Sequence, residues 1–354
     1  MKANITASII INNYNYGHFL TESIDSALNQ TYSFKEVIVV DDGSTDTSRE
    51  IISSYGNRII PVFKQNGGQS SSLNEGFKIS TGKIIFFLDS DDLFYPEKVE
   101  KIIKYLVENN SIDSPVILHN LFDSIDKSGL SIKVNIVEKI LAFHDREIKA
   151  LSKIIHGFDR NYFFKKEINE VCAPHQIHQF ALKYRYIPYL GMPTSSISIS
   201  RIMANKLFPL PVDGYKTSAD ELIVKASSLL GKVYSSNISL TKYRCHGNNH
   251  WYGKIMKKEA EELAGIQRDR YLNSKLELTT KEPIFSFLNS MQADGFYSFH
   301  LGKEAANYLI ILSFSVVRWH LNSITLFFFM KTFFRGINYK FYNLLFRSNN
   351  THTE

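Results

Sequence analysis

The first hundred residues predict an α/β fold: a mostly parallel sheet with helices on both faces. Two observations carry that reading. Short β-branched runs alternate with segments whose apolar residues recur three or four apart. Three of the runs also stop abruptly in polar clusters, Asn12-Asn13-Tyr14-Asn15, Asp41-Asp42-Gly43-Ser44 and Asp89-Ser90-Asp91-Asp92. Strands that alternate with helices pair in parallel and are covered on both sides.

In chain order, Ala7–Ile11 reads as a strand, and Phe19, Leu20, Ile24, Ala27 and Leu28 mark one helix face. Val37–Val40 is a second strand. Thr45 or Asp46 caps a helix carrying Ile51, Ile52 and Tyr55, and Ile59–Phe63 follows as a third strand. A helix from Leu73 to Ile79 leads into a fourth strand, Lys83–Leu88. Pro96 then opens a helix with Val99, Ile102, Ile103 and Leu106 on one side, the position where proline is best tolerated. Beyond residue 110 the pattern weakens to a strand near Pro115–His119 and helical stretches near 137–156. Residues 254–354 read as mainly helical.

The 354 residues suffice for one large domain or two smaller ones. With 44% hydrophobic and 21% charged residues, neither disorder nor a polytopic membrane protein is favoured. Two cysteines, Cys172 and Cys245, make no disulfide framework, and the first residues lack the apolar core of a secretory signal. A cytoplasmic setting is therefore expected. The net charge of +6 is mild and gathers late, residues 301–354 holding six bases against two acids. Nucleic acid is not an expected partner.

In an open α/β sheet, ligands bind at the carboxyl ends of the strands. The three clusters bring an aromatic ring, amides and up to five carboxylates to that edge. Such charge calls for a hard cation, Mg²⁺ or Mn²⁺, whose usual use is to bridge phosphate oxygens. Taken singly, each cluster has a plain structural reading. Asp41-Asp42-Gly43-Ser44 has the composition of a turn, Asp89-Ser90-Asp91-Asp92 that of a solvated helix cap, and Tyr14 is an ordinary surface aromatic. Their combination points to a pyrophosphate ligand.

The segments 8–15 (SIIINNYN), 36–46 (EVIVVDDGSTD), 65–76 (QNGGQSSSLNEG) and 81–92 (TGKIIFFLDSDD) resemble the family 2 glycosyltransferases in order, spacing and residue type. The resemblance implies the GT-A fold and an inverting, single-displacement transfer from a nucleotide-sugar donor, with a UDP-sugar favoured. It implies that Tyr14 and Asn12 face the nucleobase, that Asp42 bonds a base nitrogen, and that the Asn66-Gly67-Gly68 loop approaches the donor. In the acidic signature it leaves the metal ligand as Asp91 or Asp92, with Asp89 or Asp91 on the ribose. Leu73 stands where many members carry Arg.

Further on, 191–201 (GMPTSSISISR) resembles the segment beneath the acceptor. Ala219-Asp220-Glu221-Leu222 resembles the acidic pair that supplies the catalytic base, assigned to Asp220 with Glu221 as the alternative. The local sequence also fits a carboxylate stabilised by a helix N-terminus. Tyr243 to Asn249 (YRCHGNN) resembles the family's late motif beside the diphosphate, which makes Arg244 and His246 donor contacts. Cys172, His175 and His178 are read as structural, because no second ligand pair accompanies them.

The expected organisation is a GT-A domain over 1–250, with 1–110 for the nucleotide sugar and 111–250 for the acceptor, and a helical extension over 251–354. Ala305–Val317 and Trp319–Met330 are uncharged apolar runs, each shorter than the roughly 18–20 residues a spanning helix needs. With Lys331, Arg335, Lys340 and Arg347 close by, this extension fits docking on an anionic membrane surface, or equally a buried or partner-facing helix. The expected acceptor is a glycan or lipid-linked glycan. A non-catalytic nucleotide-sugar-binding protein is the alternative, and a nucleotidyltransferase lacks the Gly-rich basic loop it requires.

Overall fold

The computed structural model describes residues 5–132, 145–159, 167–184, 187–210, 212, 219–246 and 249. The expected extension over 251–354 lies outside the described residues, as do residues 137–144 of the helical stretch expected near 137–156. The first half follows the alternation: β1 (Ala7–Asn13), α1 (Gly17–Leu28), β2 (Lys35–Asp41), α2 (Ser48–Ser54), β3 (Ile60–Phe63), α3 (Gln69–Ile79), β4 (Ile84–Asp89), β5 (Leu93–Phe94) and α4 (Lys98–Glu108). The second half adds β6 (Val116–Ile125), α5 (Asp145–Leu151), β7 (Ile168–Cys172), α6 (Pro174–Tyr184), β8 (Ile197–Ser200), α7 (Arg201–Leu207), α8 (Ala219–Leu230) and β9 (Lys232–Arg244). Among the described residues these strands form one nine-stranded sheet ordered β3-β2-β1-β4-β8-β6-β9-β5, with β7 on β9.

The four strands β3, β2, β1 and β4 pair in parallel, whereas β8 runs antiparallel to both β4 and β6, so the whole sheet is mixed. Beyond β2 and β3 the chain returns to the other side of β1, which places a strand-order reversal at the carboxyl ends of β1 and its neighbours, where open sheets bind ligands. Register sharpens this. Asn13 pairs with Asp41 across β1 and β2, and Asn12 with Asp89 across β1 and β4.

Alternation along the buried strands feeds two cores. Ile10, Ile38, Val40, Ile85 and Phe87 pack with Leu73 of α3 and with apolar residues of α5 to α8, Leu222 and Ile223 of α8 among them. Ile9, Ile11, Val37, Val39, Phe86 and Leu88 face Leu20 and Ile24 of α1, Ile52 of α2 and Ile102 of α4. A strand's period of two sends neighbouring residues to opposite faces, so the sheet is sandwiched between helical layers. The N-cap of α2 is Thr47 rather than Thr45 or Asp46, and Asp46 instead accepts from Ser48 N at 3.0 Å through one oxygen and from Gly17 N at 2.9 Å through the other, linking α2 to α1. Cys172 is buried in the first core.

Gly231, between α8 and β9, shows how closely the second half is fitted. A Cβ there would stand 1.9 Å from the Pro115 carbonyl oxygen, and that same oxygen accepts from Lys232 N at 3.1 Å. Neither partner is the end of a flexible side chain, so Gly231→Ala forces β9 away from β6. We expect a loss of about 1–3 kcal/mol in urea unfolding; unchanged stability would contradict the close approach.

Candidate active site

At the end of β1, Tyr14 stands 47% exposed while its neighbours turn inward. Asn13 Nδ2 donates to Asp41 Oδ1 at 3.1 Å and to Ser44 Oγ at 3.2 Å. Asn12 stands beside Asp89 in the register of β1 and β4, and its Oδ1 is buried without a hydrogen-bond partner. Asn15 adopts φ 57°, a conformation asparagine tolerates, and its Oδ1 receives Thr45 N at 2.7 Å. The turn residues of β1 and β2 therefore bind each other and leave the Tyr14 ring free.

Asp42 is buried and holds the following loop. Its Oδ1 accepts from Lys64 Nζ and from Gly67 N at 2.9 Å, its Oδ2 from Asn66 Nδ2 at 3.1 Å and Gly68 N at 2.7 Å. Gly43 (φ 78°) permits this approach, since a Cβ would meet Asn66 N at 2.8 Å. Asn66 and Gly67 thus lie beside Asp42, and the carboxylate the sequence assigns to the nucleobase is already occupied by four loop donors.

The acidic signature at the end of β4 divides in three. Asp89 Oδ1 accepts from Gln69 Nε2 at 3.0 Å, and its own N–H donates to Ser195 Oγ at 3.0 Å. Burial, then the charge of Asp91, pushes its carboxyl up to about 7. Asp91 Oδ2 lies 2.9 Å from His246 Nε2 and 3.3 Å from Asn249 Nδ2. Asp92 turns into the protein, its Oδ1 receiving Arg244 N at 2.9 Å, and burial holds its carboxyl well above the ordinary range. The two residues read from sequence as metal ligands therefore part company: Asp91 keeps a side-chain nitrogen partner, and Asp92 serves the backbone of β9.

These donors bear on the expected cation. Among the described residues, no group of three or more His, Cys, Asp or Glu side chains is arranged as a ready-made metal cage. Mg²⁺ commonly takes only one or two protein carboxylates and completes its shell with water and substrate phosphates, so the Asp91 carboxylate suits Mg²⁺ or Mn²⁺, and the His246 imidazole beside it suits Mn²⁺ better than Mg²⁺. Asp92, the other expected ligand, has its Oδ1 taken by Arg244 N and its Oδ2 buried without a hydrogen-bond partner.

Arg244 departs from the sequence reading. Its side chain is fully buried: Nε donates to Asp91 O at 2.8 Å, Nη1 to Lys127 O at 3.1 Å, and Nη2 to Glu22 Oε2 at 2.8 Å, with the guanidinium 4.6 Å from the Phe19 ring centre. Enclosed in this way, it braces the acidic loop from behind and lines no open edge. His246 instead stands with Asp91, in edge contact with Tyr16 at 5.4 Å between ring centres. Burial and the charges of Asp91 and Asp89 push the Tyr16 phenol up to about 12.

The acidic pair of α8 is also separated. Asp220 is 4% exposed, its Oδ2 lies 3.1 Å from Tyr189 Oη, and burial followed by the neighbouring Glu221 raises its carboxyl to about 6. Glu221, with a side chain 44% exposed, pairs with Lys225 one turn on. The inward carboxylate sits on the same edge as the β4 cluster, because Gln69 accepts from Ala219 N at 2.9 Å while donating to Asp89. Gln69, Tyr189 and the fully buried Lys98, which donates to Ser195 O and to Thr241 Oγ1 at 3.0 Å, had no role in the sequence reading. Gln69 lies inside the 65–76 motif; Lys98 shows only as a basic residue on a helix.

A family model described as glycosyl transferase family 2 matches residues 8–172. An uncharacterized glycosyltransferase of Nostoc is 31% identical over 277 residues, covering 76% of this chain and 75% of that protein. The chain belongs to glycosyl transferase family 2. This glycosyltransferase is also 40% identical over 117 residues to the minor teichoic acid biosynthesis protein GgaB of Bacillus subtilis, across 31% of this chain and 13% of that one. In fold it is similar to Staphylococcus aureus TarS 1–349, crystallised with UDP, at a TM-score of 0.50 and 15% identity over 99% of this chain and 93% of the other. The architecture is accordingly GT-A-like.

The buried arginine gives this glycosyltransferase a test of its bracing. Arg244→Met takes the donor from the Asp91 and Lys127 carbonyls, which should cost about 1–3 kcal/mol in all. Glu22, with a side chain 53% exposed, is solvated on its own, so Glu22→Gln should cost under about 1 kcal/mol. Chemical denaturation of both variants checks the contrast; equal, small losses would remove the bracing role.

Proposed function

We propose that this glycosyltransferase is a metal-dependent, inverting enzyme that moves a sugar from a nucleotide diphosphate donor, most simply a UDP-sugar, to a hydroxyl of a glycan or lipid-linked glycan. The observation that carries the proposal is the buried Asp220, its carboxyl raised to about 6, on a helix whose preceding residue, Ala219, is tied through the Gln69 side chain to Asp89. An elevated carboxylate beside a cluster of phosphate-ready groups is what a general base near neutral pH requires. The glycan class of the acceptor rests on the relative named for teichoic acid biosynthesis.

In this reading the Tyr14 ring packs on the nucleobase, with Asn12 and Asp89 directed to the nucleoside and Asp42 shaping the Asn66-Gly67 wall. Asp91 and His246 would hold Mg²⁺ or Mn²⁺. That ion supplies charge neutralisation for the departing diphosphate, worth several kcal/mol. Asp220 accepts the proton of the acceptor hydroxyl while the acceptor oxygen bonds the anomeric carbon and the bond to the diphosphate breaks. One displacement needs one base, so Glu221 is left to its Lys225 pair. No helix among the described residues is long and apolar enough to cross a membrane. We further propose that the basic, aromatic segment 319–347 docks the protein peripherally on the cytoplasmic membrane surface, near a lipid-linked acceptor.

Asp220→Asn tests the base. Turnover should fall by roughly 10²–10⁴-fold with nucleotide affinity retained. In the parent protein, turnover should fall as pH drops through about 6, where Asp220 protonates. The stability sign is opposite. A folded value raised above the ordinary carboxyl value means the native state holds its proton more tightly, so stability falls as pH rises through that window. Asparagine escapes this loss, and Asp220→Asn should melt at or above the parent temperature at pH 7. Near-normal turnover, or loss in step with lost folded protein, would contradict the assignment.

A further inference from the structure

The candidate base and the donor carboxylate meet through Gln69. Its Nε2 donates to Asp89 Oδ1 at 3.0 Å and to Thr194 Oγ1 at 3.1 Å, and its Oε1 accepts from Ala219 N at 2.9 Å. The amide thus uses both N–H groups and its oxygen, and only this orientation satisfies all three partners. The partners lie 20, 125 and 150 residues away in sequence.

Each end of the bridge is fixed. Gln69 opens α3 directly after Gly67 and Gly68, whose N–H groups are held by Asp42. Ser195, next to Thr194, accepts from Asp89 N and has its carbonyl held by the buried Lys98. Ala219 is the first residue of α8, where N–H groups lack partners within the helix. Gln69 supplies that missing acceptor from across the cleft, one residue before Asp220.

We propose that Gln69 is a positioning residue that fixes the Asp220 end of α8 against the donor carboxylate Asp89, so that the base meets the acceptor in register with the bound donor. The inference rests on Asp220 being the base. Gln69 touches neither donor nor acceptor in this role; it acts through the two carboxylates it spaces. Displacing a reacting group by about 1 Å can cost on the order of 10²-fold in rate. A side chain needed only for folding would instead lower the amount of active protein without altering its chemistry.

The test uses the full chain with Mn²⁺, measuring nucleotide release from UDP-glucose and UDP-N-acetylglucosamine, and UDP affinity by calorimetry. Gln69→Leu removes all three bonds. Gln69→Glu keeps the shape and the acceptor for Ala219 N but sets an oxygen against Asp89, and it carries the test if the leucine variant fails to fold. Both should lower kcat by about 10–100-fold, with UDP affinity per folded molecule within about threefold, on the scale of a single net hydrogen bond. Adding either change to Asp220→Asn should cause little further loss. Parent-level kcat in Gln69→Glu, or full additivity with Asp220→Asn, would overturn the positioning role. If Asp220→Asn itself turns over normally, the base assignment fails instead. If it falls while the Gln69 variants do not, the base assignment stands and the bridge alone is wrong.

Discussion

Three carboxylates within four residues, Asp89, Asp91 and Asp92, crowd the end of β4, and holding them together is the constraint to which the surrounding structure answers. Like charges in a poorly solvated place raise one another's proton affinity. Asp89 is pushed to about 7, and Asp92 is held well above the ordinary carboxyl range. Proteins meet such a load by supplying donors, burying cations nearby or binding a metal. All of the protein's own devices are used here.

The compensation comes from both halves of the chain. Arg244 of β9 gives its backbone N–H to Asp92 and its guanidinium to the Asp91 carbonyl. The Thr194–Ser196 turn receives Asp89 N, and Lys98, buried over Phe94, holds that turn and Thr241. Burial lowers the affinity of Lys98 for its proton, and the charge of Asp92 opposes that shift. The donor half and the half carrying Asp220 are therefore joined at the charged loop itself, as well as through the shared sheet. A site whose supporting groups come from distant segments keeps its geometry only in the complete fold.

Much of this was legible in sequence because it depends on local pattern. The first four strands and the helices between them follow from periodicity, and the polar clusters mark the strand ends because the chain becomes polar where it leaves the core. Register between strands was not legible, although it sets Asn12 beside Asp89. Nor does pattern say which of two adjacent acids turns inward. Asp91 and Asp92 differ by one position in a tight turn, and their fates are decided by His246 and by the backbone of Arg244, more than 150 residues on. Arg244 has the composition of a phosphate contact, yet its burial is set by Glu22, Phe19 and the 126–129 turn. Strand β7 and helix α6 fall in a stretch with no clear period. Gln69 was hidden because an uncharged residue in a loop motif shows nothing of three long-range bonds.

The proposal most open to direct test is that the acidic loop of β4 would receive a donor diphosphate through a divalent ion held by Asp91 and His246. The most direct measurement is anomalous diffraction from crystals of the full chain grown with UDP and Mn²⁺. The account predicts a single metal peak joining the Asp91 carboxylate, the His246 imidazole and the diphosphate, with the uracil against Tyr14 and Asp92 still bonded to Arg244 N. A metal on Asp92, or a nucleotide bound away from the carboxyl ends of β1, β2 and β4, would contradict it.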